Sequence, residues 1–182
     1  MRIAPLEKAD ADKQVQKVYD SLEKAYGTAL NPLRTLAYKP QLMRAVMTLY
    51  GAIHAENPNL SEELKELVSI RISQINGCRH YCVPYHTLQA QKHGATNAKI
   101  ADVAKARTSQ VLSPEEKLAI EYAERITVPA MMVSDEFFDR LKTAFADEDI
   151  VELTALIGFM NFWSKVIDAL EVPLDEPFAA SA

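Results

Sequence analysis

The chain has 182 residues with 48% apolar content, enough for one domain with a sizeable core. Its formal net charge of −5 argues against a nucleic-acid or anionic-membrane partner, since both demand a basic face. No apolar run is read as approaching the roughly 20 residues that span a bilayer. Pro5, Glu7, Asp10 and Asp12 stand where a signal peptide would be apolar, so the expected location is the cytosol.

Only five glycines occur, and Leu, Ala, Glu and Lys are abundant, which favours helices over a turn-rich β fold. Val15, Val18, Tyr19, Leu22 and Tyr26 recur at spacings of three and four, and Gly27 closes that helix. Asn31-Pro32 and Lys39-Pro40 each read as a helix start with proline at the first position. The second is followed by Leu42, Met43, Val46, Met47, Tyr50 and Ile53 on one face. Ser61 caps a segment with the apolar stripe Leu64, Leu67, Val68, Ile72 and Ile75, and Asn76-Gly77 stops it. A short helix then runs to His93-Gly94, and Thr96 caps the next.

Ser113-Pro114-Glu115-Glu116 is a capping box, Ser134 caps another helix, and an apolar stretch from Ile150 to Leu170 closes the fold. The expectation is an all-α single-domain bundle of eight or nine helices. Residues 1–37 form a helical arm, 38–170 the core and 171–182 a loose tail. The last helix carries more large apolar side chains than one buried face holds, from Leu153 to Ile167, so part of it is expected to meet another subunit.

Two cysteines four residues apart cannot be a structural disulfide framework. In a reducing compartment such a pair is catalytic, redox-sensing or metal-binding. On one straight helix Glu66 and Cys78 would lie about 18 Å apart. The Asn76-Gly77 break lets the following helix fold back toward Glu66. Cys82 and His86 are neighbours on one helical face, so the imidazole can take the thiol proton. Free amides at a helix N-terminus also favour a thiolate, and a carboxylate such as Glu66 could hold the imidazole in its useful tautomer. Pro84 is tolerated only in a first turn, which places the helix start near Tyr81 to Val83 and leaves Cys78 in the turn.

Competing readings stay open at this point. The thiols could be small buried hydrophobes, or Cys78, Cys82 and His86 could join His80 or Glu66 around a metal ion. His54 reads as a surface or interface residue, Met131-Met132 as core filler, and Arg79 as exposed in the turn.

The stretch Leu64-Lys65-Glu66-Leu67, Asn76-Gly77-Cys78, Tyr81-Cys82 and His86-Thr87 resembles the signature of the AhpD-like alkylhydroperoxidase and carboxymuconolactone decarboxylase family. So do Pro40-Gln41-Leu42, His93-Gly94-Ala95-Thr96, Ser113-Pro114-Glu115-Glu116 and Asn161-Phe162-Trp163 around it. The resemblance implies a thiol-dependent peroxidase in which Cys82 meets the peroxide, Cys78 resolves it, and Glu66 with His86 relays protons. It implies no cofactor and no metal. Its implied partners are a hydroperoxide, an external dithiol reductant such as a small redox protein, and further copies of the chain in a trimer or hexamer. Decarboxylase-type or other lactone chemistry is the alternative on the same fold, and a non-enzymatic Cys/His metal-binding protein another. The family spaces its cysteines Cys-x-x-Cys, whereas three residues intervene here, which places the extra residue within Arg79-His80.

Overall fold

The computed structural model describes residues 1–179; residues 180–182 of the expected tail lie outside the described part. Among the described residues there are ten α-helices, two short 3₁₀ segments and no strand. The helices are α1 Lys13–Tyr26, α2 Asn31–Leu36, α3 Pro40–Ile53, α4 Glu62–Asn76 and α5 Cys82–Lys92, then α6 Asn97–Asp102, α7 Pro114–Thr127, α8 Asp135–Lys142, α9 Asp147–Leu170 and α10 Glu176–Ala179. That exceeds the expected eight or nine because α10 is a single turn that periodicity cannot register.

The starts and stops follow local chemistry. Asp12, Ser61, Thr96, Ser113 and Ser134 each accept a backbone N–H of the first turn of the helix they precede. Ser113 and Glu116 form the expected capping box. Gly27 and Gly77 end α1 and α4 in the left-handed conformation.

Helix α4 is the hub, packing on α5, α7 and α9. It buries Leu64, Leu67, Val68, Ile70 and Ile72, and with them Lys65, Glu66, Ser69 and Ser73. The two hydroxyls donate to carbonyls one turn back, Ser69 to Lys65 and Ser73 to Ser69, so neither is left unpaired. The two charged side chains need partners from elsewhere, and those partners build the site.

Helix α9 corrects one expectation, since by length and composition it could cross a membrane. Glu152, Thr154, Asn161 and the pair Ser164-Lys165 interrupt the run briefly and hide that average when it is read residue by residue. Leu153, Leu156, Ile157, Phe159 and Met160 are buried in the chain's own core, and Phe162, Trp163 and Val166 pack against it. Much of the apolar excess that suggested a second subunit is therefore taken up within the chain.

Two further expectations change. The segment after Leu170 is packed, with Val172 and Asp175 both buried. Met132 is 79% exposed rather than core filler, because the stretch after Pro129 loops outward before Ser134 caps α8.

Gly77 has φ +79°, and open space surrounds the position a Cβ would take. Gly77→Ala therefore costs only the left-handed strain, about 1–2 kcal/mol. Thermal denaturation should show a melting temperature lower by roughly 2–8 °C.

Candidate active site

The site is built on the hairpin between α4 and α5. After Gly77 the chain turns through Cys78 to Tyr81, and helix begins at Cys82. Pro84 is thus the third helical residue, where a missing N–H costs nothing. The amides around the turn converge on Cys78: Cys82 N–H donates to its Sγ at 3.4 Å and Val83 N–H to its carbonyl at 3.2 Å. The helix N-terminus therefore serves Cys78, where the sequence suggested either thiol.

Cys78 and Cys82 are joined as a disulfide, with Cα atoms 5.5 Å apart. Tyr81, the last residue before α5, is non-helical, with φ −126° and ψ −65°. Cys78 is 0% and Cys82 1% exposed.

His86 sits one turn along α5 from Cys82. Its Nδ1 is 2.7 Å from Oε2 of Glu66, which reaches across from α4. Glu66 is 4% exposed, so this contact meets the requirement that a buried carboxylate be paired. With Nδ1 engaged, Nε2 is the ring nitrogen left for chemistry.

Cys82 and His86 line one cavity of about 160 Å3, together with Leu22, Tyr26, Tyr50, Phe159 and Trp163. Cys78 is not among its lining residues, so the two sulfurs differ in access. No lysine, arginine or carboxylate lines the cavity; its polar groups are phenols and imidazoles. Burial pushes the Tyr85 phenol well above its usual range, with Tyr50 and Glu66 nearby adding to the effect. Burial, and then the neighbouring Tyr26, raise Tyr50 too. These hydroxyls stay neutral donors and acceptors at any physiological pH.

Sequence reasoning missed His54. It ends α3, and its side chain lines the same cavity instead of lying on the surface. The available signal was Glu62, one helical turn before Glu66 on α4. Arg79 is exposed, as expected, and so is His80. Among the described residues no three His, Cys, Asp or Glu side chains gather in a way that could hold a metal ion.

Residues 40–125, from the start of α3 into α7, match the model of the carboxymuconolactone decarboxylase family. The chain is also 32% identical over 132 residues to the uncharacterized protein YdfG of Bacillus subtilis, covering 72% of this chain and 88% of that one. The chain belongs to the carboxymuconolactone decarboxylase family.

Within that family its fold is AhpD-like. The AhpD core of an uncharacterized peroxidase-related protein from Ralstonia eutropha superposes with a TM-score of 0.86 at 20% identity, over 97% of this chain and 93% of that one. The debrominase Bmp8 superposes with a TM-score of 0.81 at 23% identity, over 98% and 95%. A cysteine-to-alanine variant of Bmp8 has been solved with 2,3,4-tribromopyrrole. The family-matched span contains Glu66, Cys78, Cys82, His86 and His54, and excludes the C-terminal segment that packs on the two cysteines.

That segment forms a strap. Val172 packs with Cys78, Tyr81 and Cys82, and Phe178 stands edge-on to Tyr85, 5.1 Å between ring centres. Asp175 pins it, accepting Tyr81 Oη–H at 2.7 Å and Asn31 N–H at 2.8 Å. Burial pushes the Asp175 carboxyl above its usual range although these hydrogen bonds pull it down. Asp175→Ala leaves the buried Tyr81 hydroxyl unpaired, a loss of about 1–3 kcal/mol. Reduction of the disulfide by dithiothreitol should then accelerate by roughly tenfold, as about 1.4 kcal/mol on an opening equilibrium implies. Quenched alkylation and intact mass would time it; an unchanged rate means the strap does not limit access.

Proposed function

We propose that this chain is a thiol-dependent peroxidase of the alkylhydroperoxidase type, acting on uncharged organic hydroperoxides. The observation that carries the reading is that Cys82 and His86 line one cavity free of fixed charge, while Glu66 engages the far side of the imidazole. His86 takes the Cys82 proton, and the thiolate attacks one peroxide oxygen. The O–O bond breaks, sulfur becomes a sulfenic acid and the alcohol leaves. The Cys78 thiol displaces water from the sulfenic acid, forming the disulfide, and an external dithiol reduces it through two exchange steps.

The proposed partners are therefore a hydroperoxide, a dithiol reductant and further copies of this chain. The proposed place is the cytosol, where thiol donors keep the pair cycling. Carboxylated lactones fit less well, because the cavity offers no lysine or arginine to receive a carboxylate. A second reading, thiol-driven dehalogenation, is favoured by the aromatic wall of Tyr26, Tyr50, Tyr85, Phe159 and Trp163, which suits a flat ring. There a carbon–halogen bond becomes carbon–hydrogen, the halide leaves, and the same two thiols end as a disulfide.

The test is intact mass spectrometry of the reduced protein with one equivalent of cumene hydroperoxide, where a loss of two hydrogens supports the peroxidase cycle. Reduced protein that ignores the peroxide but yields bromide from a bromopyrrole would favour dehalogenation instead.

Three substitutions divide the roles. Cys82→Ser should abolish peroxide consumption, and Cys78→Ser should leave a sulfenic acid that dimedone labels. His86→Ala should slow consumption by about 10²–10⁴-fold, the usual contribution of a positioned base. Equal dimedone labelling of wild type and Cys78→Ser would remove Cys78 from the cycle.

A further inference from the structure

Helix α4 carries a second glutamate–histidine pair. Glu62 lies one turn before Glu66, and its Oε2 is 2.7 Å from Nδ1 of His54. The Glu66–His86 contact has the same length and uses the same ring atom. One histidine comes from the end of α3 and the other from α5, and both line the cavity that Cys82 lines. The His54 ring also stacks on Tyr50, with centroids 4.2 Å apart.

The support beneath His54 is unusual for a wall residue. Lys65, 1% exposed, donates from Nζ to the Ile53 carbonyl at 2.8 Å and the Ala55 carbonyl at 3.4 Å, the residues on either side of His54. The same ammonium pairs with Glu62 Oε1 at 3.0 Å, and with Glu152 at 2.8 Å. Burying a lysine is costly unless its charge is fully partnered. Here the partnering fixes both the backbone that carries His54 and the carboxylate that grips its ring. Hydrogen bonds from His54 and Lys65 outweigh burial and hold the Glu62 carboxyl below its usual range, so it stays ionised beneath the ring. With Nδ1 engaged, Nε2 of His54 has no hydrogen-bond partner among the described residues.

We propose that His54 is a second acid–base residue of the site, which delivers a proton to the oxygen that leaves when Cys82 is oxidised. The role rests on the peroxidase reading and deepens it. The Cys82 thiolate forms a bond to one peroxide oxygen, the O–O bond breaks heterolytically, and sulfur is oxidised by two electrons. The departing alkoxide takes the Nε2 proton of the His54 imidazolium, which becomes the neutral ring with its Nδ1–H still on Glu62, and leaves as an alcohol. His86 passes the proton it took from Cys82 to solvent, and solvent recharges His54. The sum is a thiol and a hydroperoxide giving a sulfenic acid and an alcohol. Two histidines divide the work that one alone would have to do in sequence: one at the sulfur, one at the leaving oxygen.

The test exploits leaving-group basicity. An alkoxide needs a proton in order to leave, whereas a carboxylate, being weakly basic, does not. Single-turnover oxidation of Cys82 is followed in wild type and His54→Gln with cumene hydroperoxide and with peracetic acid. The expected result is a loss on the order of 100-fold with the hydroperoxide and little change with the peracid. Alkylation of Cys82 by iodoacetamide in a Cys78→Ser background should be unaltered, since His54 does not activate the thiol.

Equal slowing with both oxidants, or none with either, overturns the role and leaves His54 a wall residue. Should His54→Gln fail to fold, Glu62→Gln keeps the ring and should show the same selectivity for the alkyl substrate, with uniform rates again overturning it. Wild type inert toward both oxidants would sink the peroxidase reading itself, and this role with it. Active wild type with indifferent variants sinks only the role of His54.

Discussion

The contact between Glu66 and His86 is the constraint on which the rest of the site depends. A carboxylate deep in a helical bundle must be partnered, and this one sits on α4, itself buried between α5, α7 and α9. Its partner is an imidazole on the next helix, so α5 has to cross α4 at a fixed height and rotation. Once it does, Cys82 faces the same space as His86, one turn away. The chemistry of the thiol is in this sense inherited from an electrostatic requirement of the core.

The turn that permits this crossing has little freedom. Gly77 supplies the left-handed residue that ends α4, and Pro84 cannot sit deeper than the first turn of α5. Between them the chain has only the stretch from Cys78 to Tyr81 in which to reverse direction. Tyr81 leaves regular helical geometry there, and its hydroxyl is tied to Asp175. The bond between Cys78 and Cys82 is thereby closed from the turn on the N-terminal side of α5, while Cys82 and His86 stay one turn apart on the helix itself.

Much of this was legible beforehand because it is written in local chemistry. Caps at Ser61, Ser113 and Ser134, the Asn76-Gly77 stop and the position of Pro84 all act within a few residues, and the helices begin and end accordingly. The approach of Glu66 to His86 was open to reasoning because one hairpin links them. His54 was not, for its partner Glu62 sits on the following helix and only the one-turn spacing from Glu66 hinted at a second pair. The strap escaped notice for the converse reason. Proline and alanine are abundant after Leu170, which reads as loose, yet Asp175 finds Asn31 across most of the chain. The averaged hydrophobicity of α9 was likewise hidden by polar residues that each interrupt it briefly.

A cystine this deeply buried has a consequence for how such a protein shares electrons with its surroundings. Thiol exchange needs an incoming sulfur in line with the bond, so a buried pair communicates with external thiols only as often as its cover opens. The oxidised fraction then follows the frequency of opening and the fit of a particular donor at the mouth, and departs from the value that the bulk thiol buffer would impose at equilibrium. An abundant small thiol that cannot enter is kinetically silent, however favourable its potential. A strap that sets the rate of opening in this way is insulation around a wire, and lets the pair hold an oxidation state distinct from that of the solution around it.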